Sequence, residues 1–228
     1  MATNLEQWTA QAYAQLFDED YSLPSWILSA DKSSVRESQN CQPSLFYSDF
    51  PAMNTPIHVK IKPLSQPEPD DDYIGFALGL QPGDTSNHKA DYLLIDWKSN
   101  LPGENLYKDF GGPSCGPGGL AKEGMAVSRV QGIPIADEFW QHTDQDVTCS
   151  PKGEGVTELA RAAHLGSSGY VFDHEYDFSF EFNETSLKVY VDGVLEMQVS
   201  GNFSNGSLAF YNFSQAGVNY SISAPGNP

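Results

Sequence analysis

From Trp26 onward the chain is written in short runs where apolar and polar positions alternate, each closed by turn residues after about ten positions. Trp26-Ile-Leu, Leu45-Phe-Tyr, Ile57-His-Val-Lys-Ile and Tyr73-Ile-Gly-Phe-Ala-Leu are the first such runs. Tyr92-Leu-Leu-Ile-Asp-Trp, Ala126-Val-Ser-Arg-Val and Phe178-Ser-Phe-Glu-Phe follow. The sharpest local signal is Leu187-Lys-Val-Tyr-Val, then Asp192-Gly193, then Val194-Leu-Glu-Met-Gln-Val. Asp-Gly between alternating strands predicts a hairpin, because a type I′ turn needs positive φ at both central residues. Ser207-Leu-Ala-Phe-Tyr and Val218-Asn-Tyr-Ser-Ile read as closing strands. About a dozen strands with little helix predict an all-β, antiparallel two-sheet jelly-roll sandwich. No internal repeat is visible.

Ahead of the strands the period changes. Leu5, Trp8, Ala12 and Leu16 recur at spacings of three and four, and Thr3 and Glu6 have capping-box spacing. A short N-terminal helix over residues 3–17 is the prediction. The domain reading is a helix or lead-in over 1–23, the sandwich over 24–224 and a tail at 225–228. Two stretches interrupt the strands: Gly/Pro-rich 99–124, and 141–157. Loops of that length in a domain of this kind are commonly functional, and they are the expected binding rim.

Composition narrows the function. Hydrophobic residues are 39% and aromatics 12% of 228, enough for a real core. Asp and Glu number 30 against 12 Lys and Arg, a formal charge of −18. Such a chain repels phosphate backbones and anionic membrane surfaces, which argues against nucleic-acid partners. No apolar run approaches the roughly 20 residues that span a bilayer, so no membrane insertion is expected. The N-terminus has neither the basic nor the apolar region of a secretory signal. Abundant Gly, Pro, Asp, Ser and Asn nonetheless favour an extracellular β module, with flanking domains of a larger chain, over a cytosolic protein. Of three cysteines, Cys115 and Cys149 lie in loop-like sequence and form the candidate disulfide, while Cys41 is expected to be a small buried residue. Four N-x-S/T sequons begin at Asn183, Asn202, Asn205 and Asn212; an Asn- and Ser-rich chain produces these by chance.

Several residues together carry a resemblance. They are Trp26-Ile-Leu, Ser38-Gln-Asn40-Cys41-x-Pro43, Ser48-Asp-Phe50 and Asp70-Asp-Asp-Tyr-Ile-Gly-Phe-Ala-Leu-Gly79. Trp97-Lys98, Phe139-Trp140-Gln-His142 and Tyr190-Val-Asp-Gly193 leading to Gly206-Ser-Leu-Ala-Phe-Tyr complete the set. In this order, along roughly 24–224, the chain resembles the C-terminal, L-type-lectin-like domain of the thrombospondins and the related modules of bacterial surface or secreted adhesins. The resemblance implies a jelly roll, a non-enzymatic extracellular role and calcium near the Asp-Asp-Asp-Tyr element. It departs over 99–157, and both Asp96, just before Trp97, and the loop GGPSCGPGG are particular to this chain.

Three adjacent carboxylates repel one another, and a hard cation taking six to eight oxygens offsets that repulsion. Asp70, Asp71 and Asp72 are therefore the candidate Ca2+ ligands, with Asp109 and Asp146 as loop acids that complete the set; a solvated acidic loop is the competing reading. Candidate ligand contacts are Tyr107, Asp109, Asp137, Trp140, His142 and Asp144. Surface charge competes for the acids, and core burial for Phe139 and Trp140. The five histidines show no metal spacing. Retaining glucanases of this sandwich need E-x-D-x-x-E, whose carboxylates stand about 5–5.5 Å apart. That motif is absent, and Glu181 and Glu184 would point to opposite faces of a strand. The expected function is a calcium-dependent, lectin-like module that binds a cell-surface or matrix glycan, or a peptide. The alternatives are a calcium-stiffened spacer and a polysaccharide-active enzyme of the same fold.

Overall fold

Two seven-stranded antiparallel sheets face each other. The computed structural model describes residues 4–14, 22–67, 70–99, 121–145, 150 and 152–223. In chain order the strands are β1 (Thr9–Ala12), β2 (Trp26–Leu28), β3 (Ser34–Glu37), β4 (Ser44–Pro51), β5 (Ile57–Pro63), β6 (Tyr73–Leu80) and β7 (Asp91–Lys98). They continue as β8 (Gly124–Gln131), β9 (Gly155–Arg161), β10 (Tyr176–Asn183), β11 (Ser186–Val191), β12 (Val194–Ser200), β13 (Ser207–Phe213) and β14 (Val218–Ser223). One helix, α1 (Ala136–Gln141), joins β8 to β9. The first sheet runs β1-β4-β13-β6-β7-β8-β9 and the second β12-β11-β10-β5-β14-β3-β2. The jelly-roll prediction therefore holds. So does the hairpin, where Asp192 (φ 50°) and Gly193 (φ 79°) join β11 to β12.

The sheets differ in how many faces they bury. In the second sheet burial alternates strictly along β5, β10 and β11, so one face packs inward and the other meets solvent. In the first sheet β6 is buried at every position, and β7 and β13 at all but their first. Its inner face meets the second sheet in an aromatic core, where the Phe76 ring lies 5.0 Å from Phe178, 5.4 Å from Phe180 and 6.0 Å from Phe210. Its outer face lies under a second apolar layer. There Phe139 and Trp140 of α1 pack on Tyr73, Tyr211 and Phe213, with Tyr13 against Phe139 at 4.9 Å.

The N-terminal helix is a correction. Among the described residues of this segment, 4–14, Leu5–Gln7 alone is helical, as one 3-10 turn, and the Asn4 side chain accepts from the Glu6 N–H at 2.8 Å. Thr9–Ala12 is strand and pairs with Tyr47–Ser44. The edge of β4 offers this segment a ladder of interchain-like hydrogen bonds, and that outweighs a weak helical preference. Leu5 and Trp8 are core residues: Trp8 sits 4.9 Å from Phe210 and 5.8 Å from Phe46. Cys41 is buried and free, and burial, helped by the Glu37 charge, pushes its thiol up to about 12. Cys115 and Cys149 lie outside the described residues.

Trp8→Ala is expected to cost about 3–5 kcal/mol in urea unfolding, the value for a truncated core aromatic. A loss within about 0.5 kcal/mol, as at ordinary surface positions, would make the segment peripheral.

Candidate functional site

The acidic triplet closes around a lysine. Asp70, Asp71 and Asp72 precede β6, and their carboxylate oxygens lie within 4.8 Å of one another. Lys98, the last residue of β7, pairs in register with Tyr73 and sends its ammonium among them. Lys98 Nζ is 2.7 Å from Asp71 Oδ1, 3.1 Å from the Asp71 carbonyl oxygen and 3.4 Å from Asp72 Oδ1, with the lysine side chain 2% exposed. Asn40 Nδ2 donates to Asp70 Oδ2 at 2.9 Å. One ammonium does not offset three carboxylates. Burial and the neighbouring Asp70 charge hold the Asp72 pKa well above its ordinary value, against the pull of Lys98. Burial also raises Asp70. The set fits calcium in part: Lys98 binds Asp71 closely and Asp72 at 3.4 Å, and Asn40 donates to Asp70, while Asp70 and Asp72 form a close carboxylate pair.

Among the described residues, Trp140 and His142 belong to a buried layer rather than to this triplet. Asp109, Asp146 and Tyr107 lie outside the described residues. Trp140 is 1% exposed in the second apolar layer, so its assignment as a ligand contact is corrected: its ring fills the space between α1 and β13, 4.4 Å from Phe213. His142 is corrected likewise. It ends α1 in a left-handed conformation (φ 49°), with its side chain 4% exposed. Its Nε2 is 2.9 Å from Asp96 Oδ2 and its Nδ1 3.4 Å from Glu158 Oε2. Burial alone would depress the imidazole, but these two carboxylates outweigh it and raise its pKa to about 9. Glu158 in turn, despite burial, is held down to about 2 by His142 and Arg161. This ion network ties the end of α1 to β7 and β9 on the outer face of the first sheet. Asp137 is half-buried, with its pKa raised by burial; the half-buried Asp144 accepts from the Lys152 N–H through its carbonyl at 2.9 Å.

The concavity lies elsewhere, on the solvent face of the second sheet. A cleft of about 390 Å³ opens over β5, β10 and β11. Strand pairing sets Ser223, His58, Ser179, Tyr190 and Leu195 side by side across five strands. The next row holds Glu181 and Lys188. Glu181 accepts from Lys188 Nζ at 2.7 Å and from the Tyr190 hydroxyl at 3.0 Å, and these bonds keep its pKa low. Asn54, Thr55 and Pro56 form one wall. Sequence reasoning did not single out His58, Ser179 or Tyr190. The signal was present: β5, β10 and β11 alternate, whereas β6 is apolar throughout and β7 and β13 carry apolar runs on both faces, which marks the second sheet as the one with an open polar face.

No protein-family model matches the chain, and no curated protein matches it in sequence. Solved structures do. A carbohydrate-binding module from Bacillus subtilis superposes with a TM-score of 0.53 at 9% identity, over 95% of this chain and 91% of that one. A protein of unknown function with a galectin-like fold, also from Bacillus subtilis, superposes with a TM-score of 0.50 at 11% identity, over 95% of this chain and 96% of that one. At such identity the likeness carries the fold alone. The chain is a lectin-like jelly roll.

Two outcomes follow. Lys98→Met leaves the Asp71 carboxylate buried without its ammonium and is expected to destabilise by about 3–5 kcal/mol in urea at pH 7. The His142 network also makes stability pH-dependent. A His pKa raised from 6.5 to about 9 contributes fully below 6.5 and is lost as pH rises through 9. A Glu pKa lowered from 4.5 to about 2 contributes above 4.5 and is lost as pH falls through 2. The network's contribution is thus complete between pH 4.5 and 6.5. Denaturation midpoints measured from pH 6 to 10 should fall, and His142→Gln should flatten that fall.

Proposed function

We propose that this chain is a non-enzymatic, lectin-like module that binds a glycan on the open face of its second sheet. One observation carries the reading: the cleft over β5, β10 and β11, where one aromatic ring, one imidazole and a row of hydroxyls stand on rigid strands. Aromatic faces stack on sugar rings, and flanking hydroxyl, amide and carboxylate groups take up their hydroxyls. Among the described residues lining the cleft Glu181 is the single carboxylate. Hydrolysis of a glycosidic bond takes two carboxyl groups, one of them a protonated acid. A lone Glu181, bonded to Lys188 and Tyr190 and kept ionised, suits an acceptor for sugar hydroxyls.

The adhesin setting, with a cell or matrix surface as target and an extracellular location, belongs to the same proposal. Its support is the acidic, Gly- and Pro-rich composition and the quoted thrombospondin-type residues. No helix among the described residues is long and apolar enough to cross a membrane. The expected binding rim is the pair of loops at 99–124 and 141–157; residues 100–120, 146–149 and 151 lie outside the described structure, and the sheet face is the proposed site instead. A peptide ligand is the competing outcome of the binding test.

The carboxylate pair favours a calcium reading as well. Asp70 and Asp72 would hold the ion, and a dication would relieve the repulsion that raises the Asp72 pKa. Lys98, already bonded to Asp71, limits how many oxygens the triplet supplies.

Tyr190→Ala is expected to abolish glycan binding by calorimetry without lowering the melting temperature by more than about 2 °C, the effect of a neutral surface change in a domain of this size. Retained binding would move the site away from the cleft. For calcium, titration after chelation should stabilise the fold by about 2.7 kcal/mol at a hundredfold excess over Kd, with magnesium inert. Asp72→Asn should remove the rise. A flat melt would leave Lys98 as the triplet's cation.

A further inference from the structure

We infer that the glycan taken by this face is acidic, and that Arg36 and Lys62 hold its carboxylate. The inference rests on the glycan reading above and names the class of sugar. Its starting point is where an acidic chain puts its positive charge. Of only 12 Lys and Arg against 30 Asp and Glu, four stand on the solvent face of the second sheet: Arg36 on β3, Lys60 and Lys62 on β5, Lys188 on β11. Alternation puts all four on the outer side, because their neighbours Val35, Val59, Ile61, Leu187 and Val189 are buried.

Among the described residues, two of the four are engaged and two are not. Lys60 Nζ lies 2.7 Å from Glu175 and 3.8 Å from Asp177. Lys188 Nζ lies 2.7 Å from Glu181. Neither Arg36 nor Lys62 pairs with a carboxylate among the described residues. The acid that feels Lys62 is Asp173, and Ser65 already holds that carboxylate through its hydroxyl at 2.6 Å and its N–H at 3.2 Å.

Register brings the two free cations together. Asn219 of β14 pairs with Arg36 on one side and with Lys62 on the other. Two strand spacings separate their Cα atoms by about 10 Å. Both side chains are long enough to converge on one carboxylate above Asn219, whose amide stands between them. A planar guanidinium is the group best shaped to grip such an anion.

The row also sits at a useful distance from the cleft. His58 and Lys62 are four residues apart on β5, about 13 Å along the strand. Between them lie Lys60 and Ser221, paired in register on the same face. Tyr190 on β11 and Asn219 on β14 are three strand spacings apart as well, about 20 Å on the diagonal. An oligosaccharide spans that distance with one ring over Tyr190 and an acidic ring over Asn219, and a monosaccharide does not. The protein's net charge of −18 adds a limit. Beyond a Debye length of about 8 Å its field is screened, so a local cationic row still attracts a single carboxylate, while a densely charged chain reaching past the row meets acidic surface. The ligand expected is therefore sparsely charged, with uronic acid units among neutral sugars.

The test compares uronate-bearing oligosaccharides of three to six residues with the same molecules after carboxyl reduction, by calorimetry at 0.15 M salt. The expected result is that an acidic member binds about tenfold or more tightly than its reduced twin, the size of one charge-assisted contact. Arg36→Gln with Lys62→Gln should erase that difference while sparing the reduced twin's affinity and the melting temperature. Equal affinity for the twins, abolished by Tyr190→Ala, would overturn the acidic assignment and leave the glycan reading standing. Capture of poly-glutamate with no oligosaccharide bound, or no binding in either series, would overturn both.

Discussion

The burial of the first sheet on both of its faces is the constraint from which the rest of this molecule follows. A sandwich ordinarily leaves two outer faces for solvent. Here α1 and the Tyr13 segment lay a second apolar layer over one of them, with Phe139 and Trp140 stacked on β6 and β13. A six-residue helix is too short to hold its place by its own hydrogen bonds. Its packing and the buried Asp96–His142–Glu158 network hold it instead. An imidazolium between two carboxylates is an expensive thing to bury. It is tolerated because the Asp96 and Glu158 carboxylates raise the His142 pKa, and His142 with Arg161 lowers that of Glu158.

Among the described residues Lys60, Lys98, Arg129, Lys152, Arg161 and Lys188 each meet a specific acid, and Lys32, Arg36, Lys62, Lys89 and Lys122 do not. Lys98 meets Asp71 and Asp72, and Arg161 meets Glu158. On the exposed sheet Lys60 and Lys188 follow that pattern. Arg36 and Lys62 break it, and they do so side by side. The Lys98 contact also changes the meaning of the Asp70–Asp72 run. Read along the chain it is three like charges in want of a metal; in the fold, a strand end 26 positions away has already brought one positive charge to it.

That contrast marks what was legible in the residues. Eleven of the fourteen strands stand out by alternation, apolar runs and the Asp192-Gly193 turn. Those overlooked are short and polar, like Ser34–Glu37, or begin inside a loop-like stretch, like Gly155–Arg161, and β1 at the N-terminus mimics a helix. Leu5 and Trp8 show why: a spacing of three suits an amphipathic helix and equally a single 3-10 turn followed by an extended chain. Only the open edge of β4 decides between them, and that edge is a tertiary fact. The Asp triplet was visible as a cluster because its members are adjacent. The cleft was not, because His58 on β5 lies more than a hundred residues before Ser179 and Tyr190 on β10 and β11. Alternation says that each points away from the core. It does not say which of the two outer faces remains uncovered.

A site on strands differs physically from one on loops. Side chains in a paired sheet have fixed spacing along and across the strands, and their backbone loses no further freedom when a ligand arrives. Tyr190 is held by its bond to Glu181, and Glu181 by its bond to Lys188, so the platform and its acceptor are oriented in advance. Such a surface recognises a pattern of hydroxyls and charge repeated at sheet intervals, which an extended saccharide presents. Selectivity then comes from which rows carry a ring, an acid or a free cation. In this molecule those three kinds of row are distinct: His58 and Tyr190 in one, Glu181 and Lys188 beside it, Arg36 and Lys62 at the far end.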